Sequence, residues 1–272
     1  LADLLETVIP FKLPTHLSSY VHGTTPLSTT PVVLATLSGY LITIFGIQEV
    51  MKNRAPQKLN TLFQIHNVIL SSGSLLLLVL MLEEILPIMW KEGIFTGICG
   101  AKAWTPRMEF YYMINYYFKY LELIDTVFLA FKKKKLAFLH VFHHSATALL
   151  CYSQLEGRTS ISWTVISLNL AVHVLMYYYY YATAGGKKIW WKKYLTLMQI
   201  TQFVVDLHLV YFGTYHHWAY NYWKTPNFGD CTGSETAALF GCGLLSSYLF
   251  LFIDFYFRTY KKPVKGQANG KA

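Results

Sequence analysis

Long apolar segments alternate with short polar connections along this chain. A helix of roughly 20 apolar residues can cross the hydrocarbon core of a bilayer. Seven segments meet or approach that length: 31–51, 61–82, 108–131, 136–155, 160–183, 194–216 and 237–258. The third is polar enough to be missed by hydropathy alone, and the fifth ends in a tyrosine run from Tyr177 to Tyr181. The pattern predicts an all-α integral membrane protein with seven transmembrane helices.

The connections between the predicted spans alternate in charge, which indicates an orientation. The first, third and fifth connections and the segment after the last span are rich in lysine, whereas the others carry balanced charges. Basic segments face the cytosol by the positive-inside rule. We therefore expect a lumenal N-terminal segment over 1–30, a single seven-helix domain over 31–260 and a basic cytosolic tail over 261–272.

The composition agrees with a membrane protein. The chain is 54% hydrophobic and 14% charged, whereas soluble domains carry about 25% charged residues. A net charge of +9 could suggest a nucleic-acid partner. The lysines cluster between apolar spans, however, so they fit topology signals and an anionic ligand better. We expect membrane lipids around the chain and no nucleic acid.

The cysteines offer a test of the orientation. Cys99 and Cys231 both fall in connections on the predicted lumenal side. An oxidising lumen would allow these two thiols to form a disulfide. Cys151 and Cys242 lie inside predicted spans, where they are interpreted as small core residues.

Polar side chains inside the predicted spans concentrate at one depth. An ionisable residue at the centre of a membrane helix costs about 2.5–3.5 kcal/mol on insertion scales. Counted from the cytosolic span ends, seven of these side chains lie roughly 9–15 Å deep: His66, Glu122, Asp125, His143, His173, Gln199 and Gln202. Lys119, His140, His144 and Asn169 belong to the same polar clusters. We infer a reactive site between five helices.

Three of these histidines, His140, His143 and His144, share one helix stripe because they stand at i, i+3 and i+4. Imidazoles at this spacing can ligate one metal ion. Membrane desaturases and hydroxylases use such boxes, but they need further boxes, and this layer adds only His66 and His173. That metal-dependent class is the alternative hypothesis, and we expect no metal.

Nucleophilic chemistry needs fewer histidines than a metal centre does, so it fits a single histidine box better. An imidazole can attack a thioester and form an acyl-imidazole, which splits a difficult condensation into two steps. A neighbouring carboxylate can fix the tautomer of such a histidine. A seven-helix receptor or transporter is a third class, but the histidine layer has no evident purpose there.

Four motifs occur in the order typical of one enzyme family. They are Lys119-x-x-Glu122-x-x-Asp125-Thr126, His140-x-x-His143-His144, Asn169-x-x-x-His173-x-x-Met176-Tyr177 with Tyr180, and Thr196-x-x-Gln199-x-x-Gln202. The chain resembles the ELO-type very-long-chain fatty acid elongases of the endoplasmic reticulum, most of all their fungal members. The motifs cover about 119–202, and the seven spans extend the resemblance over nearly the whole chain.

The resemblance implies a 3-oxoacyl-CoA synthase, which is an acyltransferase. Long-chain acyl-CoA and malonyl-CoA would give a 3-oxoacyl-CoA two carbons longer, CO2 and CoA, with no further cofactor. It also implies a multi-pass protein of the endoplasmic reticulum membrane. Its partners would be a ketoreductase, a dehydratase and an enoyl reductase, and a homo-oligomer stays open.

Roles for the polar residues follow as hypotheses. His143 would carry the acyl group, opposite His173, while His140 and His144 set protonation and geometry. Glu122 and Asp125 would orient the histidines, with Lys119 paired to them. The candidate donors to the thioester oxygen or the malonyl carboxylate are Asn169, Gln199 and Gln202.

The substrate would be held on two sides of this layer. A basic cytosolic rim suits the phosphates of CoA. The acyl tail would continue toward the lumen in an apolar tunnel enclosed by the helices. The candidate substrate-binding residues are Lys187, Lys192, Lys193, Arg258, Tyr177, Tyr180 and His66.

Overall fold

Helices account for most of the computed structural model, which describes residues 1–8 and 14–260. No β-strand occurs within those two ranges. The α-helices found there are α1 (Ala2–Val8), α2 (Thr15–Ser18), α3 (Thr30–Val50), α4 (Asn60–Glu92), α5 (Ile94–Cys99), α6 (Pro106–Glu122), α7 (Ile124–Phe131), α8 (Phe138–Gly157), α9 (Ser162–Ala184), α10 (Lys192–Trp218) and α11 (Glu235–Tyr260). The all-α prediction is confirmed for this part of the chain. The predicted tail, 261–272, lies outside the described residues.

Four of the helical segments are long and apolar enough to cross a membrane. They are α3, α4, α10 together with the π-helical turn Ala219–Trp223, and α11. Helices α8 and α9 and the α6–α7 pair occupy the other predicted ranges but fall outside this criterion. These are the helices with the histidine, asparagine and lysine–glutamate motifs, and such polar groups lower the mean hydropathy of a segment. The chain is a multi-pass membrane protein.

Helix α4 is longer than its predicted span. It runs ten residues past the predicted end at 82 and contains Pro87. Its 33 residues measure about 50 Å, which exceeds the roughly 30 Å thickness of a hydrocarbon core. The carboxylate of Glu84 in this extension accepts a hydrogen bond of 2.7 Å from Thr105 Oγ1. The helix ends at Gly93, whose φ of +89° favours glycine.

The predicted third span, 108–131, is two helices rather than one. The Leu123 amide donates to the Tyr120 carbonyl and the Thr126 amide to the Leu123 carbonyl, each at 3.2 Å. Bonds of this i to i+3 type tighten the backbone locally. Leu123 itself keeps right-handed helical dihedral angles, φ −58° and ψ −26°. The tighter turn at Leu123 therefore lies between Glu122 and Asp125, and the backbone stays helical through it.

Six helices pack side by side in a closed ring. Around it, α4 contacts α9, α9 contacts α10, α10 contacts α11, α11 contacts α8, α8 contacts α6, and α6 returns to α4. Helix α3 lies outside the ring against α7. A hydrogen bond of 2.8 Å from Tyr40 OH to Thr126 Oγ1 joins α3 to α7. The ring sets the space in which side chains from several helices can meet.

A disulfide joins two connections at one end of the ring. It links Cys99, at the end of α5, to Cys231, before α11. The Thr232 amide donates to the Cys99 carbonyl at 2.9 Å, and Trp163 Nε1 donates to the Gly97 carbonyl at 2.8 Å. These are the two cysteines that the sequence places on one side of the membrane. Cys151 and Cys242 are free thiols.

Candidate functional site

An elongated apolar cavity runs inside the helix ring. One end is lined by Lys119, His143, Asn169 and Gln202, and the other reaches His217. On α10 the distance from Gln202 to His217 is 15 residues, or about 22 Å. Apolar side chains dominate the wall between the ends, among them Leu150, Val165, Ile166, Phe203, Val210 and Leu245. The cavity is long and mostly apolar, and His143 of the histidine box lines one of its ends.

A closed polar network joins α6 to α9 at that end. Lys119 Nζ donates to Glu122 Oε1 and to Asn169 Oδ1, both at 2.8 Å. Asn169 Nδ2 lies 3.2 Å from His173 Nε2, and His173 Nδ1 lies 3.2 Å from Glu122 Oε1. Lys119, Glu122 and His173 are buried. Because an amide nitrogen can only donate, Nε2 of a neutral His173 accepts from Asn169. Nδ1 lies at ion-pair distance from Glu122 without the geometry of a hydrogen bond.

A second carboxylate faces different partners. Asp125 Oδ1 lies 3.1 Å from His66 Nε2, and Asp125 Oδ2 accepts a hydrogen bond of 3.0 Å from Tyr177 OH. The sequence hypothesis groups Asp125 with Glu122 as a carboxylate that orients the box histidines. In the structure both of its oxygens are directed at His66 and Tyr177, so this cluster joins α4, α7 and α9 instead. Tyr180 packs beside it, with its ring 6.1 Å from that of Tyr177.

The three box histidines occupy different surroundings. The rings of His140 and His144 lie 4.4 Å apart, whereas His143 meets His144 at 5.7 Å. Of the three, His143 lines the cavity. Its ring contacts those of Phe203, Tyr248 and Phe252. His140 Nε2 and His143 Nδ1 are buried and have no hydrogen-bond partner within the described residues.

The two glutamines also differ. Gln202 lines the cavity and donates through Nε2 to Asp206 Oδ2 at 2.9 Å. Gln199 is directed at the Met176 sulfur, at 3.5 Å, and is not part of the cavity wall. Of the two, Gln202 is therefore placed to act on a molecule in the cavity.

Asp206 and Tyr248 are cavity residues that were not identified from the sequence. Asp206 is fully buried on the cavity wall, and its Oδ1 has no partner among the described residues. It stands four residues after Gln202, so the i, i+4 spacing of two polar groups in an apolar helix could have revealed it. Tyr248, on α11, gives no such signal because it is one aromatic residue among many in that helix.

The predicted basic rim lies apart from the cavity. Lys187, Lys192, Lys193 and Arg258 are exposed, and none of them lines the cavity wall. Arg258 Nε donates to Asp254 Oδ1 at 2.7 Å, and the Lys193 ammonium lies 5.9 Å from the Tyr256 ring centre. The rim residues are placed for contacts outside the membrane-embedded site, and their role in binding CoA stays a prediction.

The histidine and carboxylate side chains of this layer pair with one another. No group of three or more histidine, cysteine, aspartate or glutamate side chains in residues 1–8 and 14–260 has an arrangement that could hold one. In particular, His66 pairs with Asp125 and His173 with Glu122, so neither converges on the box.

The amino-acid sequence is similar to those of one known protein family. The profile of the ELO family, described as GNS1/SUR4, matches residues 25–268. A Schizosaccharomyces pombe protein named "Putative fatty acid elongase 1" is 52% identical, over 93% of this chain and 77% of its own length. A second S. pombe protein, "Putative fatty acid elongase 2", is 44% identical over 93% of this chain and 70% of its own. Fatty acid elongase A of Dictyostelium discoideum is 35% identical over 90% of this chain and 89% of its own. The chain belongs to the ELO family.

Proposed function

We propose that this chain catalyses the condensing step of fatty acid elongation. A long-chain acyl-CoA and malonyl-CoA are the substrates, and a 3-oxoacyl-CoA two carbons longer, CO2 and CoA are the products. The proposal is supported by family membership and by relatives named as fatty acid elongases. The observation that carries it is a long, mostly apolar cavity with His143, Lys119 and Asn169 together at one end.

The cavity suits a linear acyl chain with its thioester at His143. A fully extended chain of single bonds advances about 1.2 Å per bond, so a bore of about 22 Å holds roughly 18 carbons. At the polar end, His143 attacks the thioester carbon and displaces CoA. Malonyl-CoA then loses CO2, and its α-carbon takes the acyl group from the histidine.

The polar network beside His143 supplies fixed donors to this reaction. Lys119 and Asn169 both line the cavity and are held in place through Glu122 and His173. Donors that are oriented before the reaction stabilise charge that develops on a thioester oxygen. Gln202 offers the same chemistry from the opposite wall, and Asp206 holds its amide.

Location and partners are proposed on the same grounds. CoA is a cytosolic, multiply charged molecule, so the reactive layer lies nearer the cytosol, and the basic rim faces that side. This orientation puts the N-terminus in the lumen, with seven spans in the endoplasmic reticulum membrane. The product needs reduction, dehydration and a second reduction, which a ketoreductase, a dehydratase and an enoyl reductase would perform.

Intact-protein mass spectrometry tests the proposal. Purified protein is incubated with stearoyl-CoA alone and then chased with malonyl-CoA. We expect a mass increase of one acyl group that maps to His143 and disappears on the chase as 3-oxoacyl-CoA forms. His143→Ala should abolish both adduct and product. His208→Ala is the matched control, because that histidine is exposed on α10 and lies off the cavity wall.

Two results would contradict the proposal at different levels. Product without any adduct would retain the condensation and remove the covalent histidine. Neither adduct nor product, across a series of acyl chain lengths, would overturn the elongase assignment itself.

A further inference from the structure

The imidazole of His143 is enclosed by aromatic rings. Its centre lies 4.6 Å from the ring of Tyr248, 5.6 Å from that of Phe252 and 6.1 Å from that of Phe203. All three contacts are T-shaped, so an edge of one ring meets the face of the other. The three aromatic side chains are buried. They form an aromatic cage, defined here as Phe203, Tyr248 and Phe252.

The two nitrogens of His143 differ in their surroundings. Nδ1 is buried with no hydrogen-bond partner among the described residues, while the residue itself lines the cavity. Nε2 is therefore the nitrogen available to a thioester in the cavity. A neutral imidazole that attacks through Nε2 carries its proton on Nδ1. No base in the described residues is hydrogen-bonded to that proton.

The carboxylates of the layer are engaged elsewhere. Glu122 contacts Lys119 and His173, and Asp125 contacts His66 and Tyr177. Asp206 accepts from Gln202. Removal of the Nδ1 proton after the attack would need one of these groups to leave its partner and reach the far side of the ring. If the Nδ1 proton stays in place, the acylated ring carries a positive charge, which the surrounding side chains must stabilise.

We propose that the acyl-enzyme is an N-acyl imidazolium cation that the aromatic cage stabilises. The inference rests on the proposed function. In the first step the Nε2–acyl bond forms, the thioester C–S bond breaks, and CoA leaves as a thiolate that takes a proton from water. The ring keeps its Nδ1 proton and gains one positive charge. A cation is stabilised when it lies over the face of an aromatic ring within about 6 Å of the ring centre, and the effect grows in a desolvated site. The centres of the Tyr248 and Phe252 rings lie within that distance of the imidazole, and that of Phe203 lies at its limit.

Charge also balances in the second step. Malonyl-CoA brings one carboxylate, and the bond between its α-carbon and the carboxyl carbon breaks as CO2 departs. The electron pair of that bond forms the new carbon–carbon bond to the acyl carbon. The acyl–nitrogen bond breaks, and its electrons return to Nε2. The cation and the carboxylate cancel, so histidine returns to its neutral form with the same Nδ1 proton, and no general base is required. Tyr248, Phe203 and Phe252 are thus positioning residues that act on the reaction through His143.

Replacement of the cage rings tests the inference. We expect Tyr248→Leu and Phe252→Leu to form the acyl-enzyme at least about tenfold more slowly from stearoyl-CoA alone. Tyr248→Phe keeps the ring and removes only the hydroxyl, which lies 3.0 Å from Thr147 Oγ1 and 3.3 Å from the His143 carbonyl. It should acylate within about threefold of the wild-type rate. Thermal unfolding in detergent checks that each variant is folded.

Isotope-edited infrared spectroscopy gives a readout that a loss of packing would not move. The acyl-CoA is labelled at its carbonyl carbon, and the adduct band is compared with a neutral N-acyl imidazole and with its N-methylated cation. We expect the wild-type band at the higher, cationic frequency. A band at the neutral frequency, or wild-type acylation rates in both leucine variants, would overturn the cage inference while the adduct persists. Absence of any wild-type adduct would instead contradict the proposed function.

Discussion

Among single residues, Lys119 is the one whose environment most constrains its replacement. It is buried and binds both Glu122 and Asn169. Removal of one partner from a buried ion pair leaves the other charge uncompensated, which costs about 3–5 kcal/mol. Replacement of both partners by neutral groups of similar shape is far better tolerated.

We therefore expect Lys119→Met to lower the free energy of unfolding by about 3–5 kcal/mol. The variant should accordingly unfold at a clearly lower temperature than the wild type. The double variant Lys119→Met with Glu122→Gln should recover most of that loss and stay inactive in the condensation assay. Equal unfolding temperatures for the single variant and the wild type would show that the pair contributes little to the fold.

Asp206 allows a similar comparison for a hydrogen bond. Its Oδ2 accepts a hydrogen bond of 2.9 Å from Nε2 of Gln202, and both side chains are buried. Asp206→Asn keeps an acceptor for Gln202, so we expect its stability to stay near that of the wild type. Asp206→Leu leaves a buried donor unpaired and should lose about 1–3 kcal/mol. Differential scanning fluorimetry of both variants in detergent measures the difference. A leucine variant as stable as the asparagine variant would contradict this account.

The depth of the polar side chains along their helices could be counted from the sequence. The partners toward which these side chains are directed could not. His143 and its layer were located because ionisable groups are rare inside spans and their depth can be counted. The direction of Asp125 could not be predicted, since two carboxylates three residues apart occupy neighbouring parts of one helix face. A backbone tightened at Leu123 lies between them, and the histidine on α4 faces only the second. Which histidine Asp125 contacts therefore depends on packing between helices that are distant in the sequence.

Among the elements, the end of α5 and the segment before α11 are cross-linked by the Cys99–Cys231 disulfide. The two cysteines are 132 residues apart. A cross-link that closes a long loop restricts the unfolded chain, which corresponds to about 2–5 kcal/mol of stability. Both the Thr232 amide and the Trp163 indole add hydrogen bonds at this end of the ring.

We expect Cys99→Ser, Cys231→Ser and the double variant to lose the same stability, because each removes the same bond. The wild type treated with reductant should match them, and the variants should not respond to reductant. Thermal unfolding with and without dithiothreitol measures this. An additive loss in the double variant would show that the thiols contribute separately.

Helix ends were less predictable than helices. The predicted end of the second span stands at two glutamates, because carboxylates rarely continue an apolar span. Helix α4 nevertheless continues to Glu92, since Glu84 is satisfied by Thr105 from a distant connection. A partner that approaches from a remote segment leaves no local pattern in the sequence.

On the scale of the whole molecule, the ring of helices determines how much room the cavity has. Gly241 on α11 lines it, seven residues from Tyr248, or about 10 Å along the helix. A side chain there would be directed at Gln154 and Leu150 across the bore, at ordinary contact distances. A large residue at this position would therefore shorten the space available from His143.

We expect Gly241→Leu to stop acyl chains longer than roughly eight carbons, at about 1.2 Å per bond. The variant should lose condensation with stearoyl-CoA and keep it with octanoyl-CoA. Gly243→Leu is the matched control, because Gly243 is exposed on the same helix and an added Cβ meets open space. Product analysis over a chain-length series gives the answer. Unchanged activity with stearoyl-CoA would place the acyl chain elsewhere.

The position of His143 at one end of the elongated cavity has a kinetic consequence. If the acyl group stays on His143 while CoA departs, malonyl-CoA enters only after free CoA has left. Steady-state rates should then give parallel lines in double-reciprocal plots, as expected for a ping-pong enzyme. Each substrate at high concentration would also inhibit by occupying the enzyme form meant for the other. In a cell, the rate of elongation would then depend on the ratio of acyl-CoA to malonyl-CoA as well as on the concentration of each.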